Sequence, residues 1–69
     1  MRTVTVESTS IRSFSYDAAT EELAVVFAHG GTHIYSAVPV EVVDAFEATT
    51  SAGKFFSFNI RNKFAGRKG

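Results

Sequence analysis

Residues 29–46 read HGGTHIYSAVPVEVVDAF, and this stretch decides the fold. Gly30-Gly31 is a strong hairpin signal, because a two-residue turn needs positive φ at its centre. Thr32 to Ala37 then predicts a short returning strand that carries His33 and Tyr35. Val38-Pro39 ends that strand, and proline, with φ held at about −65°, suits the first turn of a helix. The following VEVVDAFEATT, residues 40–50, has the helical period. Glu41, Asp44 and Glu47 recur every three residues as a solvated stripe. Val40, Val43 and Phe46, with Val42 beside them, form the apolar side. Ser51-Ala52-Gly53 predicts the helix end, glycine being the usual left-handed residue there.

Upstream of this stretch the pattern has period two. Val4 and Val6 alternate with Thr3, Thr5 and Glu7, a short strand by spacing. Ser10 to Tyr16 predicts a second strand. Asp17-Ala18-Ala19-Thr20 predicts a turn in which Asp17 bonds the backbone two residues on. Glu21 to Ala28, EELAVVFA, is the clearest strand. With Gly30 and Gly31 at the turn centre, Phe27 lies opposite Ile34 and Val26 opposite Tyr35. Directly opposed residues share a face. One face then gathers Leu23, Val25, Phe27 and Ile34, joined by Phe14 across a four-residue first turn, and is expected under the helix. The other gathers Ala24, Val26, Ala28, His33 and Tyr35, with Ile11 and Ser13.

Lys54 to Phe64, KFFSFNIRNKF, fits two periods. Phe56, Phe58 and Ile60 alternate like a strand, while Phe56, Ile60 and Phe64 recur at helical spacing. A short helix is favoured, because Arg61 and Lys63 then make a basic stripe beside the apolar one. Ala65 to Gly69 reads as a flexible basic tail. The expected architecture is α+β: an antiparallel meander of three or four strands, a helix on one face, then a short basic helix or extended segment. Residues 1–64 form one domain.

Composition narrows the function classes. A 69-residue chain buries only about 60% of its unfolded surface, so its stability margin is thin. There are no cysteines to form disulfides or thiolate metal sites. His29 and His33 lie four apart around a turn, too few ligands for zinc. Seven phenylalanines and two tyrosines supply the packing material instead. No apolar run approaches the roughly 20 residues of a membrane span, and MRTVTVESTS lacks a signal-peptide core. A cytoplasmic protein without a cofactor is the expectation. Net charge is zero but unevenly spread. Residues 1–53 set two arginines against seven acids, a net −5. Residues 54–69 carry Lys54, Arg61, Lys63, Arg67 and Lys68 with no acid, a net +5. Such asymmetry points to an anionic partner, or to a basic end pairing with the acidic body in cis or across a dimer.

An ordered series of small motifs carries a family resemblance. It runs through Ser8/Ser10-Ile11, Tyr16-Asp17, Phe27 with Gly30, His33-Ile34-Tyr35, Val38-Pro39, Ser51-Ala52-Gly53-Lys54-Phe55 and Ile60-Arg61. The chain resembles the KTSC domain over roughly residues 4–64. That family is named for its occurrence at the C-terminus of some lysyl-tRNA synthetases, and also occurs alone in small bacterial and phage proteins. Its function is unknown, with RNA binding suggested. The central tyrosine-x-tyrosine of the family stands here as His33-Ile34-Tyr35.

Catalysis finds little support. No paired carboxylates or phosphate loop stands out, and Gly30-Gly31 lacks the lysine context of a P-loop. Ser8, Thr9 and Ser10 with His33 are better read as a structural turn. A non-catalytic binding domain for RNA or another anionic ligand is the leading reading. His33 and Tyr35 are its stacking candidates, and Lys54, Arg61, Lys63, Arg67 and Lys68 its phosphate contacts. The alternative is an interaction module, a homodimer or higher oligomer. In a phage setting, that assembly would hold a small anionic nucleotide between protomers.

Overall fold

The computed structural model describes all 69 residues. Five antiparallel strands form one meander, in spatial order β1-β2-β3-β4-β5. They are β1 (Arg2–Thr5), β2 (Ile11–Asp17), β3 (Glu22–Phe27), β4 (Gly31–Tyr35) and β5 (Gly66–Lys68). Helices α1 (Val40–Ala48) and α2 (Ala52–Asn59) follow β4. The chain is α+β, with one strand more than the sequence pattern predicts. No helix is long and apolar enough to cross a membrane.

The first hairpin keeps its predicted faces. Its four-residue connection spans residues 18–21 rather than 17–20, with Glu21 at φ 56°. Asp17 Oδ1 accepts from the Ala19 amide at 3.0 Å, two residues on, as its side chain predicts. Tyr16 then faces Leu23, and Phe14 faces Val25. This differs from the predicted register by two, which leaves every side chain on its face. One irregularity intervenes. Between Ile11 and Ser13 the pairing slips, so that Ile11 faces Phe27 while Ser13 faces Val26. The extra residue turns Ile11 to the Phe14 face, where it is fully buried.

The second hairpin departs further. Three residues, Ala28 to Gly30, connect β3 and β4, and Phe27 faces Gly31. Of the two glycines only Gly31 has positive φ, at 74°. A two-residue turn of the predicted kind requires it at both central positions; a three-residue loop requires it once. The register moves by three, and an odd shift reverses the faces. Leu23 therefore opposes Tyr35, Val25 opposes His33, and Ala24 opposes Ile34. His33 and Tyr35 join the core face, and Ile34 leaves it, contrary to the pairing read from the diglycine.

Both helices cover this one face. The Phe46 ring of α1 stacks on Phe14 at 4.4 Å between centroids, and on Phe55 of α2 at 5.5 Å. Phe56 of α2 meets Phe27 and Tyr35 edge-on, at 5.1 and 5.5 Å. The Tyr16 hydroxyl donates to the Val38 carbonyl at 2.6 Å, tying the start of the helical layer to β2. Val43 and Phe46 are buried as predicted, whereas Val40 is exposed. Arg2 of β1 reaches Asp44 at 2.8 Å, and also Glu47, across the acidic stripe of α1. These pairs are exposed and stabilise little.

Gly53 does not end a helix. The first helix closes at Thr49, which is extended, and Gly53 lies inside α2. A Cβ there would stand 3.0 Å from Ser10 Oγ, so the serine side chains of the β1–β2 loop lie close over this turn of the helix. The helix favoured over 54–64 forms earlier, at 52–59, and holds a single basic residue, Lys54. The other four cations follow it.

The predicted frayed tail is instead the edge strand β5, at residues 66–68. The Ser36 amide donates to Ala65 O at 3.0 Å, and the Gly69 amide to Thr32 O at 2.8 Å. Arg67 bonds Glu22 at 2.8 Å and Ser36 at 3.2 Å. The free edge of β4 supplies the pairing partner, and Gly66 makes the approach possible. A Cβ on Gly66 would fall 2.5 Å from Tyr35 Cε1.

Two outcomes check this packing. Only 12 side chains are buried, so Phe46→Ala, which strips two ring stacks, is expected to cost about 3–5 kcal/mol by chemical denaturation. Gly66→Ala is expected to release β5, seen as faster amide exchange at Gly69 with the helical signal retained.

Candidate functional site

The largest cavity is an open groove of about 480 Å³ between α2 and the β3–β4 half of the sheet. Thr9 and Ser10 of the β1–β2 loop and His29 and Gly30 of the β3–β4 turn close one end. These two loops sit at the same end of the meander, and the Ala28 amide donates to Ser10 O at 3.0 Å. Phe27, His33, Tyr35 and Phe56 form the walls, and Arg61 stands just beyond the end of α2. The volume lies in the range of small-molecule sites, and the lining is mostly rings with a few polar groups.

The walls follow from the reversed register. His33 and Tyr35 are both on β4 and two apart, so they share a face. His33 packs edge-on against Phe27 at 5.3 Å. Tyr35 is only 5% exposed, wedged between Phe56 and the backbone of Gly66. Its hydroxyl makes no hydrogen bond within the chain, and no fully buried side-chain oxygen or nitrogen lacks a partner. The oxygen is therefore not fully enclosed, and its donor is free within the chain. Burial raises the Tyr35 phenol above its usual 10.0, with the Arg61 charge pulling the other way. Tyr16 is raised too, by burial first and then by Glu21.

Of the residues singled out from sequence, the groove unites His33, Tyr35 and Arg61. Lys68 lies across from His33 on β5, one strand further out on the same face. Lys54 is exposed on α2. Lys63 borders a separate groove between the helices, with Glu41, Val42 and Phe55. Arg67 pairs with Glu22, and its cross-strand partner is Ile34, so it faces away from the helices. The five cations thus form no continuous basic stripe. The sequence pattern alone does not mark Ser10, His29, Phe27 and Phe56 as ligand contacts. A three-residue loop would have placed His29 at the tip of the hairpin, and the serine motif before Ile11 marks the loop that meets it.

Ser10 Oγ lies 3.4 Å from Ser8 Oγ, and no imidazole approaches it within hydrogen-bonding distance. The arrangement offers stacking surfaces, one free phenol donor and one guanidinium. It suits a planar, anionic guest.

Comparison with known proteins agrees with the fold. The family model for the KTSC domain matches residues 7–64. A protein of Tsukamurella paurometabola is 39% identical over 59 residues, which is 86% of this chain and 88% of that one. An uncharacterized protein of Stutzerimonas stutzeri is 40% identical over 57 residues, covering 83% and 80%. The crystal structure of a KTSC domain protein from Yersinia pestis superposes with a TM-score of 0.94 at 34% identity, over 99% of this chain and 96% of that one.

The raised phenols predict a pH response. Both tyrosines hold their protons more tightly when folded, so their contribution is complete below about pH 10 and is lost as pH rises through the folded values. Denaturation midpoints are expected to fall above pH 10, with phenolate absorbance appearing later in the folded chain than in denaturant.

Proposed function

The chain belongs to the KTSC domain family, and on that premise we propose that it is a non-catalytic, cytoplasmic binding domain for RNA. Its groove takes one unpaired nucleotide. The observation that carries this reading is the meeting of His33, Tyr35 and Arg61 in one ring-walled groove. A base is a flat, apolar plate with polar edges. It stacks on aromatic side chains, and each such stack contributes about 1–3 kcal/mol. The Tyr35 hydroxyl supplies a donor to a base edge, and Arg61 supplies a charge for the phosphate. Zero net charge and dispersed cations argue against grip on a long duplex, since that binding grows with the phosphates neutralised. They fit capture of a short unpaired segment.

A second reading rests on the opposite face of the sheet. Ser13, Ala24, Val26, Thr32 and Ile34 lie there without a helix over them. A second copy of the chain would cover this surface, as a homodimer or within a higher oligomer. A small anionic nucleotide held between protomers is the form this reading takes in a phage-encoded protein.

Fluorescence anisotropy with a labelled single-stranded RNA tests the first reading. Arg61→Gln is expected to weaken binding about tenfold or more. Tyr35→Phe is expected to weaken it while leaving the fold intact, since its hydroxyl bonds nothing within the chain. Arg67→Gln, on the far face, is expected to change affinity little. No binding at low salt would remove the reading. Light scattering at micromolar concentration separates the second, which requires at least twice the 7.5 kDa monomer mass.

A further inference from the structure

Phe58 is 72% exposed, the most accessible aromatic ring among the exposed large apolar residues. A single exposed hydrophobe is ordinary in itself. Its neighbours make the difference. Lys54 precedes it by four residues within α2, so the two share one exposed face; Arg61 follows by three, just past the end of the helix. Ala52 and Phe56 bury the opposite side of α2. The chain's ion pairs involve Arg2 and Arg67, so Lys54 and Arg61 have no acidic partner. The exposed ridge of α2 therefore presents a cation and an open ring, with a second cation where the chain leaves the helix. Arg61 also lines the groove, so it stands between the groove and this ridge along the chain.

We propose that this ridge carries the next nucleotide of a single-stranded RNA whose first nucleotide occupies the groove. This rests on the nucleotide reading of the groove and extends it. The base of the second nucleotide stacks on Phe58. Arg61 holds the phosphate shared by the two nucleotides, and Lys54 holds the one that follows. Two features select a nucleic-acid strand over an apolar protein partner. The ring stands alone rather than in a patch, and it is flanked on both sides by unpaired positive charge. Alternation of ring and cation is the arrangement that grips single strands without reading their sequence.

Adenosine monophosphate and the single-stranded hexamer A6 separate ridge from groove by isothermal titration. The wild-type chain is expected to bind A6 at least tenfold more tightly than the monophosphate. Phe58→Ala should erase that advantage and leave monophosphate affinity unchanged, while Phe58→Tyr should restore it. Lys54→Gln should lower the slope of log K against log salt for A6 by about 0.7. Phe58 is exposed, so its alanine variant is expected to melt like the parent, which circular dichroism checks. Equal wild-type affinity for both ligands, or an A6 advantage that survives Phe58→Ala, overturns the ridge and leaves the groove standing. Loss of monophosphate binding in Phe58→Ala would overturn it as well. Failure of both ligands to bind the parent removes groove and ridge together.

Discussion

The turn between β3 and β4 determines which side chains of β4 lie beneath the helices. In a strand, neighbours point to opposite sides, so the parity of the register matters more than its size. The connection of three residues, with positive φ at Gly31 alone, sends His33 and Tyr35 toward α2 and Ile34 away from it. A connection of two would do the reverse. The aromatic walls of the groove, the burial of Tyr35 and the contact between Tyr35 and Gly66 all depend on that parity.

From it follows an economical use of rings. Twelve buried side chains hold the domain together, and Tyr35 and Phe56 are among them while also lining the groove. Such a small chain has few residues to spare for binding alone. The polar groups of the lining are a phenol oxygen, a guanidinium, two imidazoles and the hydroxyls of Thr9 and Ser10. These come from separate segments that the meander brings to one side.

Much of this architecture is legible in the sequence because burial patterns repeat. The alternation in β3, the proline before α1 and the valine–phenylalanine side of α1 need no tertiary information. The motif series identifies the family, and the family model and the solved relative agree with it. What escapes is set by backbone geometry at single residues. Arg12 sits where the β2–β3 pairing slips, and nothing in its chemistry signals that. Glycine pairs announce a turn but not how many residues it uses. Gly53 resembles a helix terminator, yet it lies inside α2 with Ser10 Oγ 3.0 Å from where a Cβ would stand. Residues 66–68 look like a loose end because their partner, the open edge of β4, exists only after folding. The site was legible in part for the same reason. His33, Tyr35 and Arg61 were visible by type, but the dispersal of Lys63 and Arg67 to other surfaces depends on the three-dimensional path.

The distribution of charge takes its meaning from that path as well. One basic group, Arg67, pairs with Glu22 at the surface, and Asp44 and Glu47 of α1 engage Arg2. The remaining cations are spread over β2 at Arg12, α2 and the turn after it at Lys54, Arg61 and Lys63, and β5 at Lys68. The parity of β4 is the point on which all of this turns, and nuclear Overhauser contacts to the Phe56 ring report it directly. Contacts from Tyr35, with none from Ile34, are the predicted result. Contacts from Ile34 in place of Tyr35 would mean the shorter turn and the opposite face, and would contradict the account.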